Sequence, residues 1–213
     1  VASAKRSIVV LDDERAELSL SVNPKSIAEG GPVSTATVSR NTSTNVSLTV
    51  QLTSSDTSEA TVPGQVTIPV GQSSVTFPVS SVVDGLVDGP QQATLGAQAI
   101  GFASSQIDIT VTDSDVPSLS VTVAQTSLSE NGGVTTATIR RNTSLGSSLT
   151  VSLSSSDSSE LLVPASIVIP AGSSEASVIL SAVDDEIVDG VQSVSMTAMA
   201  TGFQNGSRSV LVV

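Results

Sequence analysis

Apolar and polar residues alternate with a period of two along most of the chain. In the first clear run, Leu18, Leu20 and Val22 alternate with Ser. Similar runs lie at 36–38, 46–52, 66–70, 75–79, 93–99 and 107–111. Because successive side chains of a strand point to opposite faces of a sheet, this pattern predicts seven half-buried strands. No segment has an apolar period of 3.6 residues, so no helix is predicted.

The whole pattern returns at a fixed interval. Asp12 recurs as Asp113, which is 101 positions later, and the sequence Arg-Asn-Thr-Ser at 40–43 recurs at 141–144. A period near 100 is too long for a solenoid unit and fits one sandwich domain per repeat. The chain is therefore predicted to be all-β, with tandem immunoglobulin-like, seven-stranded antiparallel β-sandwiches at 15–115 and 116–213. Residues 1–14 align with the last strand of a repeat, and we expect them to be the closing strand of a preceding domain.

Composition narrows the function classes. The chain has no His and no Cys, and aromatic residues make up 1% of it. These absences exclude a His base, a Cys nucleophile and a thiolate metal site, and a carboxylate-pair glycosidase would need a cleft with aromatic platforms. We therefore expect a protein that is not an enzyme. The net charge of −12 disfavours nucleic-acid binding, and no apolar run is long enough for direct insertion into a membrane.

The acidic residues of the first repeat fall in loops that a sandwich places at one end. They are Glu29, Asp56, Asp84, Asp88, Asp113 and Asp115. The loops of the opposite end carry no acid, and Lys25 is the only basic residue in or beside the acidic loops. Such carboxylates repel one another, and a cation with six to eight oxygen ligands would offset this repulsion. The pattern favours Ca²⁺ over Mg²⁺, and the alternative is a set of ordinary solvated turn residues.

Several motifs together resemble the Calx-β family. They lie at 27–31 (Ile-Ala-Glu-Gly-Gly), 36–40, 54–56 (Ser-Ser-Asp), 66–71, 84–89 and 113–115 (Asp-Ser-Asp). Calx-β domains occur in the regulatory regions of sodium–calcium exchangers and in many large bacterial and matrix surface proteins. In exchanger-type members, Ca²⁺ is held by acids of the corresponding loops.

The resemblance implies a ligand set for each repeat. In the first repeat it consists of the six acids named above. In the second it consists of Glu130, Asp157, Asp184, Asp185 and Asp189, with Glu186 as an additional candidate. The first repeat has Val83 and Gly85 where the second has Asp184 and Glu186, so we expect the first to hold fewer ions.

The function expected from the sequence is that of a non-catalytic, Ca²⁺-binding structural or adhesive repeat of a large extracellular or cell-surface protein. Bound ions would stiffen the joint between repeats. The expected partners are calcium, neighbouring repeats and, as a further candidate, another protein. The lack of Cys favours a bacterial surface protein or a cytosolic domain. The alternatives are a regulatory Ca²⁺-sensor pair of a transporter and a metal-free spacer or protein-binding module.

One repeated motif lies outside this scheme. Arg40-Asn41-Thr42-Ser43 and its copy at 141–144 contain glycosylation sequons, which arise by chance in a chain so rich in Ser and Thr. Arg40 and Arg141 are expected to pair with a nearby acid or to cap a strand end.

Overall fold

A computed structural model describes residues 13–184, 187 and 190–213. The expected leading strand therefore lies largely outside the described residues, as do Asp185, Glu186 and Asp189. Contacts divide the chain into two compact units. The first comprises the residues up to Asp84 together with 90–112, and the second comprises 85–89 together with 113–213. The short segment 85–89 thus belongs to the second unit although it precedes the last two strands of the first.

Both units consist of strands joined by turns and loops, and the described residues contain no helix that is long and apolar enough to cross a membrane. The strands of the first unit are β1 (Leu18–Asn23), β2 (Ser26–Ala28), β3 (Ser34–Arg40), β4 (Leu48–Ser54), β5 (Ala60–Thr61), β6 (Gln65–Ile68), β7 (Ser74–Ser81), β8 (Gln91–Gln98) and β9 (Ser105–Thr112). Those of the second are β10 (Leu119–Val123), β11 (Ser127–Leu128), β12 (Val134–Arg141), β13 (Leu149–Ser155), β14 (Leu161–Leu162), β15 (Ser166–Ile169), β16 (Glu175–Ala182), β17 (Gln192–Met199) and β18 (Gly206–Val212).

Each unit is a two-sheet sandwich. The first unit has one sheet in the order β1-β3-β7-β5 and another in the order β2-β9-β8-β4-β6. The second repeats this arrangement as β10-β12-β16-β14 and β11-β18-β17-β13-β15. The predicted fold class, all-β with tandem sandwiches, is confirmed. The principal strands pair antiparallel, whereas the short β2 and β11 run parallel to β9 and β18.

The alternation of the sequence becomes the burial pattern of the strands. Val38, Val50, Ile68, Leu95 and Ile109, which come from both sheets, are at most 1% exposed and share one core cluster. The second unit has its own cluster of the same kind. Because the cores are built mainly of small aliphatic side chains, each unit relies on many modest burials rather than on a few large aromatic ones.

The ends of two predicted strands need correction. Val46 and Val70, which the alternation assigned to strands, are 68% and 63% exposed. The fourth strand begins at Leu48 and the sixth ends at Ile68. Alternation thus continues for a residue or two into flanking loops, where no neighbouring strand is present to bury the apolar side chain.

Two arginines are buried at the ends of equivalent strands. Arg40 is 6% exposed, and its guanidinium donates to the backbone oxygens of Val46, at 2.8 Å, and Gln72, at 3.2 Å. Arg141 is 5% exposed and binds the carbonyl oxygens of Ser147 and Ser173 in the same way. Each arginine therefore joins two loops at the end of its strand. Its partners are carbonyl oxygens.

Candidate metal centre

Two glutamates of the first unit each lie close to the carboxylate of Asp84. Glu29 and Glu59 are 6% and 5% exposed, and Asp84 is exposed to solvent. A carboxylate oxygen of Asp84 lies within 4.8 Å of a carboxylate oxygen of Glu29. A carboxylate oxygen of Asp84 also lies within 4.8 Å of a carboxylate oxygen of Glu59. The three residues come from different loops: Glu29 follows β2, Glu59 precedes β5 and Asp84 follows β7. We call Glu29, Glu59 and Asp84 the acid cluster.

The backbone near Glu29 explains the close approach. The hydroxyl of Ser81, at the end of β7, donates to the carbonyl oxygen of Ala28 at 2.9 Å. Gly30 has a φ of 60°, and a Cβ at this position would lie 2.9 Å from Cγ2 of Val83. A side chain at Gly30 would therefore push apart the two segments that carry Glu29 and Asp84. Glycine permits both this left-handed conformation and the contact.

Asp56, a predicted ligand, holds a turn together. Its Oδ1 accepts hydrogen bonds from the backbone N–H of Ser58, at 3.0 Å, and from the Ser58 hydroxyl, and its carbonyl oxygen accepts one from the N–H of Ala60. The Ser58 hydroxyl, and then the Ser58 N–H, lower the pKa of the Asp56 carboxyl below its ordinary value of 3.8. In the structure it is Glu59, three residues later, whose carboxylate lies in the acid cluster.

Sequence reasoning missed Glu59, although a signal for it exists. Glu59 follows Asp56 by three positions, and Glu160 follows Asp157 at the same spacing in the second repeat. Glu160 is also buried, at 5% exposure. The recurrence of a buried Glu at this position indicates a role beyond solvating a loop.

Asp113 organises the next group of predicted ligands, all within the second unit. Its Oδ2 accepts from the N–H groups of Asp88, at 3.0 Å, and Gly89, at 2.9 Å, and its Oδ1 accepts from the N–H of Asp115 at 2.7 Å. The bond from Gly89, followed by that from Asp115, lowers the pKa of the Asp113 carboxyl. The adjacent Oδ2 of Asp115 is buried and has no hydrogen-bond partner among the described residues.

The second repeat shows part of the same arrangement. Glu130, the counterpart of Glu29, has a buried Oε1 that no described residue hydrogen-bonds. Asp157 binds Ser159 as Asp56 binds Ser58, and its pKa is lowered by the same side-chain and backbone bonds. Asp184 is exposed. Asp185 and Asp189, the other predicted ligands, lie outside the described residues, so among the acids that can be placed here no group of three close carboxylates forms.

The donor set fits a hard cation. Every candidate ligand atom is a carboxylate oxygen, and the chain contains no His or Cys that would favour zinc or copper. Buried carboxylate atoms without hydrogen bonds, such as Oδ2 of Asp115 and Oε1 of Glu130, are costly unless a positive charge is near. An oxygen-coordinated ion such as Ca²⁺ would supply that charge.

The lowered pKa of Asp113 leads to a prediction about acid stability. Because the folded-state pKa is below 3.8, the ionised carboxylate stabilises the fold fully above that pH and the contribution is lost as the pH falls through the lower folded value. With a chelator present, Asp113→Asn should lower the melting temperature of the protein near neutral pH. The difference in melting temperature between the variant and the wild type should disappear as the pH is lowered, as measured by thermal melts from about pH 2 to about pH 6. A difference that stays constant across this range would contradict the assigned role of the carboxylate.

Comparisons with known proteins do not assign the chain to a family. No protein-family model matches the chain, and no curated protein matches its sequence. Among solved structures, CBD12 from CALX1.2 is similar with a TM-score of 0.38 and 12% identity. The matched region covers 85% of this chain and 80% of the CALX1.2 chain. The calcium binding domain CBD12 of CALX1.1 gives 0.37 and 11%, covering 86% and 80%. A glycosyl hydrolase family 2 member from Bacteroides cellulosilyticus gives 0.38 and 11%, covering 87% of this chain and 23% of its own.

Proposed function

We propose that this chain is a non-catalytic, Ca²⁺-binding repeat module of a large extracellular or cell-surface protein. The acid cluster carries the proposal, because two buried glutamates from different loops each place a carboxylate oxygen within 4.8 Å of a carboxylate oxygen of Asp84. Acidic residues of ordinary solvated turns are exposed, so two buried glutamates among them would not be expected.

Electrostatics supports a bound cation. Two full charges separated by 4.8 Å repel by about 3 kcal/mol at an effective dielectric of about 20, and solvent at Asp84 reduces this value. Along the sequence, Lys25 is the only basic residue in or beside the acidic loops of the first repeat. A divalent ion would turn the repulsion into attraction, and the chemistry it supplies is neutralisation and cross-linking of loops.

The ligands in the first repeat would be Glu29, Glu59 and Asp84, and the resemblance to Calx-β domains adds Asp88, Asp113 and Asp115 as candidates. In the second repeat they would be Glu130, Glu160 and Asp184, together with Asp185 and Asp189. Asp113 and Asp115 also lie in the sequence that leads into β10. An ion held there would restrict the segment that connects the repeats.

An extracellular setting suits such a module. Extracellular calcium sites work at dissociation constants of roughly 10⁻⁴–10⁻³ M, and the calcium present outside cells would fill them constantly. A constantly filled site stabilises and stiffens, whereas a regulatory sensor would have to be empty part of the time. We therefore favour a structural or adhesive repeat of a bacterial surface protein, with neighbouring repeats as its partners.

The identity of the ligands can be tested by comparing two neighbouring acids. Glu59→Gln should reduce the calcium affinity of the first repeat at least tenfold, because it removes a carboxylate of the acid cluster. Asp56→Asn should leave the affinity nearly unchanged, because the Asp56 carboxylate lies outside the acid cluster and its Oδ1 is bound to Ser58. Calorimetric titration of both variants and the wild type with Ca²⁺ measures the difference.

Either of two results would count against this assignment. A loss of affinity in Asp56→Asn with normal binding in Glu59→Gln would restore the ligand set expected from sequence. The absence of any calcium heat in the wild type, with no effect of a chelator on melting, would make the chain a metal-free spacer.

A further inference from the structure

A loop from the first repeat is added to the second unit as a one-residue strand. The N–H of Val87 donates to the carbonyl oxygen of Asn142 at 2.7 Å, and Val87 and Thr143 form an isolated parallel bridge. The side-chain Nδ2 of Asn142 donates to the carbonyl oxygen of Gly85 at 3.1 Å. Segment 85–89 is thus held by both backbone and side-chain bonds at the end of β12.

Asn142 is built into this position from its other side. Its Oδ1 accepts from the N–H of Ser118 at 2.8 Å, and its Nδ2 also donates to the carbonyl oxygen of Val116 at 3.0 Å. These bonds fix the amide, so that the remaining N–H points to Gly85. Both the carbonyl oxygen and the side-chain amide of Asn142 therefore hold segment 85–89 in place.

Asn41 is the counterpart of Asn142 in the first unit. Its Oδ1 accepts from the N–H of Glu17 at 2.8 Å, and its Nδ2 donates to the carbonyl oxygen of Arg15 at 2.8 Å. These contacts repeat those of Asn142 with Ser118 and Val116. No described residue donates to the carbonyl oxygen of Asn41 or accepts the second hydrogen of its Nδ2. In the second unit, the carbonyl oxygen and one side-chain N–H of Asn142 bind segment 85–89. The same two groups of Asn41 are accessible in the first unit, where Asn41 is exposed.

A groove lies beside this anchor. It has a volume of about 260 Å³ and is lined by residues 14–16 and 41–43. In the second unit, Thr143 and Ser144, the counterparts of Thr42 and Ser43, line a pocket together with Leu86, Val87 and Asp88 of the docked segment; Arg140, Arg141, Leu145 and Ser174 also line it. The Thr-Ser pair that lies beside the loop in the second unit thus lines a groove in the first.

We propose that the segment Asn41–Ser43 is a docking site for the loop of a further repeat, equivalent to 85–89, placed ahead of this one. The occupant is an extended segment of the type Gly-Leu-Val-Asp-Gly, whose N–H at the third position binds the Asn41 carbonyl oxygen and whose first carbonyl oxygen accepts from Asn41 Nδ2. In a tandem array the connecting chain supplies an effective concentration in the millimolar range, so two hydrogen bonds and a small apolar contact are enough. The Asn of the repeated Arg-Asn-Thr-Ser motif is then a latch between repeats.

A peptide tests the docking site on the full chain. The probe spans residues 83–90, and its matched control carries N-methylvaline at the position of Val87, which removes one N–H and leaves the side chain. Titration of the unmodified peptide into ¹⁵N-labelled protein should shift the amide resonances of Asn41, Thr42 and Ser43 with saturation at millimolar concentration. The N-methylated peptide should shift them at least fivefold less.

A variant of the protein completes the test. Asn41→Asp keeps an acceptor for the Glu17 N–H and loses the Nδ2 donor to both the Arg15 carbonyl oxygen and the peptide. It should bind the peptide several-fold more weakly, and the amide spectrum of the variant away from residues 14–17 and 41–43 checks that the fold is retained. Unchanged resonances at 41–43 with the unmodified peptide, equal shifts with both peptides, or full affinity in Asn41→Asp would each overturn the proposal.

Discussion

Calcium is expected to raise the melting temperature of the first unit by roughly 10–20 °C, and the rise should vanish in the double variant Glu29→Gln, Asp84→Asn. The magnitude follows from mass action. A site with a dissociation constant of about 10⁻⁴ M contributes about 2.7 kcal/mol when free calcium is a hundredfold higher. Thermal melts with calcium and with a chelator measure the shift.

The control is Asp108→Asn. Asp108 is an exposed acid of β9 that binds the hydroxyl of Thr94 and lies outside the acid cluster. Its removal changes the net charge by the same amount as one cluster substitution and should leave the calcium shift intact. In the chelator, Glu29→Gln by itself should melt higher than the wild type, because it relieves repulsion within the acid cluster. A calcium shift that survives in the double variant would show that the ion binds elsewhere.

The variant Arg141→Ala is expected to lower the free energy of unfolding of the second unit by about 3 kcal/mol, because it loses charged hydrogen bonds and the packed side-chain stem of the buried arginine. The guanidinium binds the carbonyl oxygens of Ser147 and Ser173, so two loops lose their common anchor. Arg40→Ala should have the same effect on the first unit. Chemical denaturation that follows the two units separately measures the free energy of unfolding.

Arg140 provides a matched control in the same strand. It precedes Arg141 and is exposed, so Arg140→Ala should change the free energy of unfolding by no more than about 0.5 kcal/mol. Equal losses in Arg140→Ala and Arg141→Ala would show that the buried bonds to the loop carbonyls do not stabilise the unit.

Most of the fold could be predicted from the sequence because its signals are local. Alternation with a period of two identifies a strand without reference to its neighbours, and the long runs at 18–22 and 107–111 coincide with β1 and β9. The short strands were not predicted. The strand β5 has two residues and β2 has three, which is too few for a period to be visible, and both exist because a longer strand pairs with them.

The candidate site was predictable in part. The rule that alternate loops of a sandwich share one end placed Glu29 and Asp84 together, and their carboxylates do lie within 4.8 Å of each other. Between Asp56 and Glu59 the same rule offers no choice, since both lie in one loop. The choice depends on which side chain the turn uses, and Ser58 binds Oδ1 of Asp56.

The sequence by itself determined the strand pattern, the repeat of 101 positions, the absence of His and Cys chemistry and the acidic loops of each repeat. These properties depend on residue type and spacing along the chain. Only the tertiary structure decided that Glu59 is buried beside Asp84, that Arg40 and Arg141 bind loop carbonyls, and that segment 85–89 docks on Asn142. Each of these depends on backbone groups from distant parts of the chain, whose positions no local pattern of side chains records.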